Sequence, residues 1–246
     1  MSFKDKLQQN KKTKKRIEFL DALRGLSVVL MIIHHFFYDL TEFLGAPYEL
    51  FSNPVFDLLH LIFAGIFIAL CGISSQFSRN NLRRGFLCLA IALIITIVTV
   101  FIEMPVIFGI LHLLSFCIIF YGLTRRLWEK IPLCLMPVIC VSGYIISSYC
   151  IENITVSSEH LWMLGWKHEN FVSYDYFPVF PWIFIFLFGT WVGFYIKNQH
   201  FPQWFYKMRF PLLSFIGRHS LIAYITHQPV LYLITMLIKT INHRAV

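Results

Sequence analysis

The sequence predicts an all-α protein, a polytopic transmembrane helical bundle of about seven spans, N-terminus inside and C-terminus outside. Three observations carry that reading. Hydrophobic residues fill 57% of the 246 positions and charged residues 14%, against about 45–50% and about 25% in soluble domains. Seven apolar segments are each long enough for a hydrocarbon core of about 30 Å, which takes about 20 helical residues. The basic residues gather on alternate connections. This composition excludes a disordered chain, which needs low hydrophobicity and high charge. It also argues against a soluble domain, and no two-residue alternation of the barrel kind is visible.

The elements follow in order. Residues 1–16 are polar and basic, with Lys4, Lys6, Lys11, Lys12, Lys14, Lys15 and Arg16, and are expected to be cytoplasmic. Residues 17–246 are expected to form one transmembrane domain. The first apolar run, 20–44, has no small-residue cleavage site at its end, so it reads as a retained span and not a signal peptide. Spans two to four are expected at 54–77, 85–103 and 106–123. Met104 and Pro105 would make a tight turn, with Pro105 opening the fourth helix. The fifth, 131–151, holds Pro137 and Gly143, where a kink is expected. Residues 152–177 form the largest loop, rich in aromatics. Trp162 and Trp166 lie one turn apart and predict a short amphipathic helix on the membrane surface. Spans six and seven are expected at 178–196 and 212–240.

Charge sets the orientation. With a cytoplasmic N-terminus, 18 of the 21 Lys and Arg fall on inner segments, all but Lys167, Lys239 and Arg244. This is the positive-inside pattern. Nine of the 13 acidic residues fall on the outer side. The formal net charge of +8 is thus confined to short juxtamembrane loops. That is unlike a nucleic-acid module, and no nucleic-acid partner is expected. The six cysteines show no CxxC spacing and sit in apolar runs, as small buried residues do.

Ionisable residues inside spans are costly and mark functional sites by default. Here they are His34, His35, Asp39, Asp57, His60, His112 and His227. By helical rise, His35, His60 and His112 all lie about 9–12 Å below the outer surface. His35 and Asp39 are four apart and share a helix face. A carboxylate beside an imidazole orients it and raises its basicity, which suits a general base near neutral pH. His34 points about 100° away from His35, as packing residues do. No HxxxH or HExxH pair is present, and no metal is expected. On the inner rim Arg24 is three residues after Asp21, Arg83 and Arg84 open the third span, and Arg218 opens the last. Arginines at that level either touch anionic lipid or hold a phosphorylated cofactor.

The run FLDALRGLSVVLMIIHHFFYDL, residues 19–40, resembles the first span of bacterial relatives of heparan-α-glucosaminide N-acetyltransferase. FAGIFIALCGIS at 63–74, FGILHLLSFCIIF at 108–120, YFPVFPWIFIFLFGTWVG at 176–193 and IGRHSLIAYITHQPVLY at 216–232 resemble that family in the same order. The resemblance implies acyl transfer, with acetyl-CoA as donor and a sugar or glycan as acceptor, at the cell membrane. By position Asp21, Arg24 and Gly25 match the family's opening of the first span, and His112 the His of its GILH motif. Gly217, Arg218 and Ser220 match the start of the last helix, and His227, Gln228 and Pro229 its HQP. His35 matches the His that glycan acyltransferases carry in that helix. The lysosomal member has Asn there and its catalytic His between spans one and two. Residues 44–54 hold no His, so His60 is the nearest counterpart.

The expected site therefore has His35 as base or acyl acceptor, Asp39 orienting it, and His112 or His60 assisting. Arg24, Arg84 or Arg218 would hold the CoA phosphates. The partners are the bilayer, acetyl-CoA and the acceptor, with a homo-oligomer allowed. A proton-coupled transporter or a non-enzymatic membrane protein would use the same buried His and Asp differently.

Overall fold

In a computed structural model of the chain, residues 16–156, 160–168 and 170–244 are described. Of the basic segment 1–16 only Arg16 falls among them. The described residues are helical, with one isolated β-bridge and no strand. Among the described residues nine α-helices run in order: α1 Glu18–Leu44, α2 Pro54–Phe77, α3 Asn81–Phe101, α4 Ile110–Trp128, α5 Met136–Asn153, α6 Trp182–Lys197, α7 Gln203–Lys207, α8 Pro211–Arg218 and α9 Ser220–Arg244. Five of them, α1 to α4 and α9, are long and apolar enough to cross a membrane. The segments expected to give the fifth and sixth spans form α5, of 18 residues, and α6, of 16. At 1.5 Å per residue α6 is about 24 Å long, short of the full hydrocarbon thickness.

The chain divides into two compact units, residues 1–57 with 201–246, and residues 58–200. In the first, α8 lies along the start of α1. Gly25 and Gly217 make that approach possible. A β-carbon on Gly217 would collide with the Asp21 carbonyl, and one on Gly25 with the Leu213 carbonyl. Ser214 Oγ donates to the Glu18 carbonyl at 3.0 Å across the same seam. α9 packs on the other half of α1. α1 ends on Gly45 in the left-handed conformation (φ 68°), whose N–H bonds back to the Leu40 carbonyl region of the last turn, a usual glycine role at a helix end.

In the second unit α2 packs on α6 through glycines. Gly72 faces the Phe186 carbonyl, and Gly189 the Ala69 carbonyl. α3 pairs with α4, and α5 with α6. The core is centred on α4, with Leu113, Cys117, Ile118 and Tyr121 almost fully buried. The outward sides of α3 and α5 carry many exposed Ile, Leu and Val, as faces turned to lipid do.

Four local expectations are corrected. Pro105 does not open the fourth helix. Residues 106–109 run extended, because distant polar groups take their backbone: Val106 N–H donates to Thr99 Oγ1, Ile107 N–H to Ser173 Oγ, and Phe108 accepts from Phe177 N–H. Ile110 N–H then donates to Asp175 Oδ2, which starts α4. Pro137 does not kink α5 but sits in its first turn, where its missing N–H is harmless. Trp162 lies in a single 3-10 turn, Leu161–Met163, and Trp166 lies beyond it. The last expected span also splits at His219 into α8 and α9.

Candidate active site

Two polar stations lie on α1, both in the first unit. The lower one is built on Asp21, whose side chain is 5% exposed. Arg24 Nη1 donates to Asp21 Oδ1 at 3.1 Å, the pair expected from their spacing. Arg16 Nε stands 2.8 Å from Oδ2, and Arg218 Nε 4.0 Å from the same oxygen. Three guanidinium groups thus converge on one buried carboxylate, a geometry that holds them at fixed positions. Beside them opens a cleft of about 320 Å³ lined by Arg16, Glu18, Tyr206, Lys207, Met208, Arg209 and Arg218. Four cations face one carboxylate there, so the cleft carries a net positive charge suited to phosphate. Arg16, Lys207 and Arg209 are not distinguished from the general basic belt by sequence. Only the fold separates them from it.

The upper station is built on α1 and α9. Asp39 is fully buried, and its Oδ1 accepts a hydrogen bond from Gln228 Nε2 at 2.9 Å. One turn back on α1, the His35 ring lies 5.0 Å, centroid to centroid, from the ring of His227. His227 Nδ1 stands 2.6 Å from the Tyr224 carbonyl oxygen. Asp39 Oδ2, His227 Nε2 and Gln228 Oε1 are buried without a hydrogen-bond partner among the described residues. Such atoms are few in folded proteins and call for a reason. His34 turns to Phe51 and Phe56, as a packing residue. The sequence marks His35 and Asp39 by their spacing. The partners on α9 are visible in it only as the HQP run.

His60, His112 and Arg84 belong to the second unit. His112 is buried, stacked on Phe108, with Nε2 3.2 Å from Thr96 Oγ1. The Thr96 hydroxyl donates to the Val106 carbonyl at 2.6 Å, so it accepts from His112, and the ring proton is on Nε2. His60 packs edge-on against Phe177. Since Phe177 pairs with Phe108 through its backbone, His60 and His112 flank one short pairing of residues 107–109 with 175–177. Arg84 lays its guanidinium on Cys71, with Nη2 3.1 Å from Sγ. Beside the pairing, Tyr176 donates its hydroxyl to the Trp162 carbonyl at 2.6 Å, with Lys167 over its ring. Burial pushes the Tyr176 hydroxyl up to about 12, so it stays protonated in neutral solution.

A helical protein with a buried Asp and half-buried His at one level of α1 and clustered arginines at another has parts that a membrane transferase needs. The comparison with known families agrees. The model for heparan-alpha-glucosaminide N-acetyltransferase, catalytic, matches residues 16–229, and the chain belongs to that family. Neither a curated protein nor a solved structure matches it.

Proposed function

We propose that the protein is an integral membrane acyltransferase of the cell membrane that moves an acetyl group from cytoplasmic acetyl-CoA to a sugar or glycan acceptor. The observation that carries this is the pair of polar stations on one helix. Asp21 and His35 are fourteen residues apart, a rise of about 21 Å. On this reading the phosphate-binding end and the acid–base end are separated by about the reach of an extended pantetheine arm. Arg24 and Arg218, with the cations of the adjoining cleft, hold the donor phosphates. Arg84, with its guanidinium against Cys71, lies in the other unit. His35 acts as an acid–base group of the transfer, and Asp39 keeps the polar contact between α1 and α9 in register. His112, with its Nε2 proton committed to Thr96, and His60 lie in the other unit, and the role proposed for His35 is assigned without them.

The test uses membranes carrying the full chain, supplied with acetyl-labelled acetyl-CoA. Label should enter envelope glycan or added amino sugar, and His35→Ala should slow this about 10²-fold or more, the usual size of general-base loss. Undiminished turnover in that variant would remove His35 from the mechanism. Equal labelling in membranes without the protein would remove the function.

A further inference from the structure

His227 has so far only a place in a sequence motif, yet its surroundings define a chemical state. Its Nδ1 faces the Tyr224 carbonyl oxygen at 2.6 Å. A carbonyl only accepts, so Nδ1 carries the ring proton, and in the neutral ring Nε2 is a bare lone pair. That nitrogen is buried and has no hydrogen-bond partner among the described residues. A purely structural histidine would have Nε2 satisfied, since buried polar atoms nearly always are. An oriented ring with one open basic nitrogen is the form a general base takes before substrate arrives.

Its position agrees. The ring lies 5.0 Å from that of His35. The next residue, Gln228, is hydrogen-bonded to Asp39, which fixes α9 against α1 at this level. Asp39 Oδ2 and Gln228 Oε1 are likewise buried and unpartnered. Three unpartnered acceptors on neighbouring residues of α1 and α9 fit a molecule that brings N–H or O–H groups, which an acyl acceptor does and a thioester does not.

Resting on the acyl-transfer reading, we propose that His227 is a second catalytic histidine of the site, the one that faces the acceptor. Nε2 takes the proton of the acceptor's amine or hydroxyl as that nitrogen or oxygen bonds to the acyl carbon. The thioester C–S bond breaks, and its electron pair leaves on the thiolate sulfur. The proton then passes from Nε2 to the thiolate, so the products are the acylated acceptor and the free thiol. Throughout, Nδ1–H stays on the Tyr224 carbonyl and holds the ring in place.

Two measurements on the full chain test this. In membranes where the wild type transfers label, His227→Gln keeps a side-chain N–H for the Tyr224 carbonyl but has no basic nitrogen. Its kcat should fall about 10²-fold or more, with KM for acetyl-CoA within about twofold. His227→Ala should fall as far and regain at least about tenfold with added imidazole. Wild-type kcat in His227→Gln would overturn the proposal, and so would a loss confined to KM. If the wild type itself transfers nothing, the acyl-transfer reading fails and not this residue alone. The second measurement needs no turnover: in the purified protein with 15N-labelled histidine, the His227 ring should show the neutral tautomer with its proton on Nδ1 and a bare Nε2. A His227 ring that carries its proton on Nε2 would overturn the free Nε2 on which the proposal stands.

Discussion

Asp39 decides more at the residue scale than any other side chain, because among the described residues it is the carboxylate with no exposure at all and a single neutral hydrogen-bond partner, Gln228. Removing one member of a buried hydrogen bond leaves the other unsatisfied, at a cost of about 1–3 kcal/mol. Asp39→Leu should therefore lower the melting temperature of the detergent-solubilised protein by several degrees, since 1 kcal/mol corresponds to about 2–4 °C at this chain length. Asp39→Asn can still accept from Gln228 with its amide oxygen and should melt within a few degrees of the wild type. If Asp39 is more than a strut, the Asn variant should nonetheless transfer at least about tenfold more slowly, as loss of a charged partner to acid–base groups does. An Asn variant with wild-type rate would make Asp39 structural only. The sequence exposes half of this arrangement. His35 and Asp39 stand out as an i,i+4 pair, but the group that binds Asp39 lies 189 residues away, and no periodicity reports a contact of that span.

Among the elements, the seam between α1 and α8 is the most sharply constrained. Gly25 and Gly217 leave no room for a β-carbon, since each would meet a backbone carbonyl of the other helix. Backbone cannot step aside as a side-chain end can, so Gly217→Ala must part the helices. Overpacking of this kind costs about 1–3 kcal/mol. It should also loosen the convergence of Arg218 on Asp21, and with it any phosphate grip. Gly65→Ala is the matched control. Its β-carbon would meet only side-chain atoms at 3.8 and 3.9 Å, and the helix gains about 0.5–1 kcal/mol from the change. Thermal melting of the two variants should move in opposite directions; parallel shifts would show that the seam is softer than its geometry. The long helices were legible because each is a continuous apolar run. The extended stretch 106–109 was not, because Ser173 and Asp175 capture it and nothing local to Pro105 records them. Likewise α8 and α9 read as one span, since the break at His219 falls inside an unbroken hydropathic pattern.

For the whole molecule, the question is whether α5 and α6 cross the bilayer, since five helices meet length and hydropathy together and these two do not. Both counts, five and seven, are odd, so both put the termini on opposite sides. They differ in where residues 154–181 lie. With five spans that segment would share a side with the basic connections at 124–135 and 197–219. With seven it would share a side with residues 102–109. The β-bridge between Phe108 and Tyr176, with Phe177 N–H on the Phe108 carbonyl at 2.9 Å, ties 175–177 to 107–109 within one unit. A seven-span reading, in which α5 carries the chain across and α6 returns it, predicts that pairing, and a five-span reading does not. Their shortness is the kind of mismatch a bilayer absorbs by local thinning at a cost of fractions of a kcal/mol per Å. A single cysteine placed at Lys167 in a background without the native six should then react with a membrane-impermeant maleimide from the side opposite to one placed at Lys130. On the orientation expected from the positive-inside pattern, Lys130 is the cytoplasmic one of the two. Labelling of both from the same side would leave only five spans, and would require the 107–109 to 175–177 pairing to be absent in the membrane.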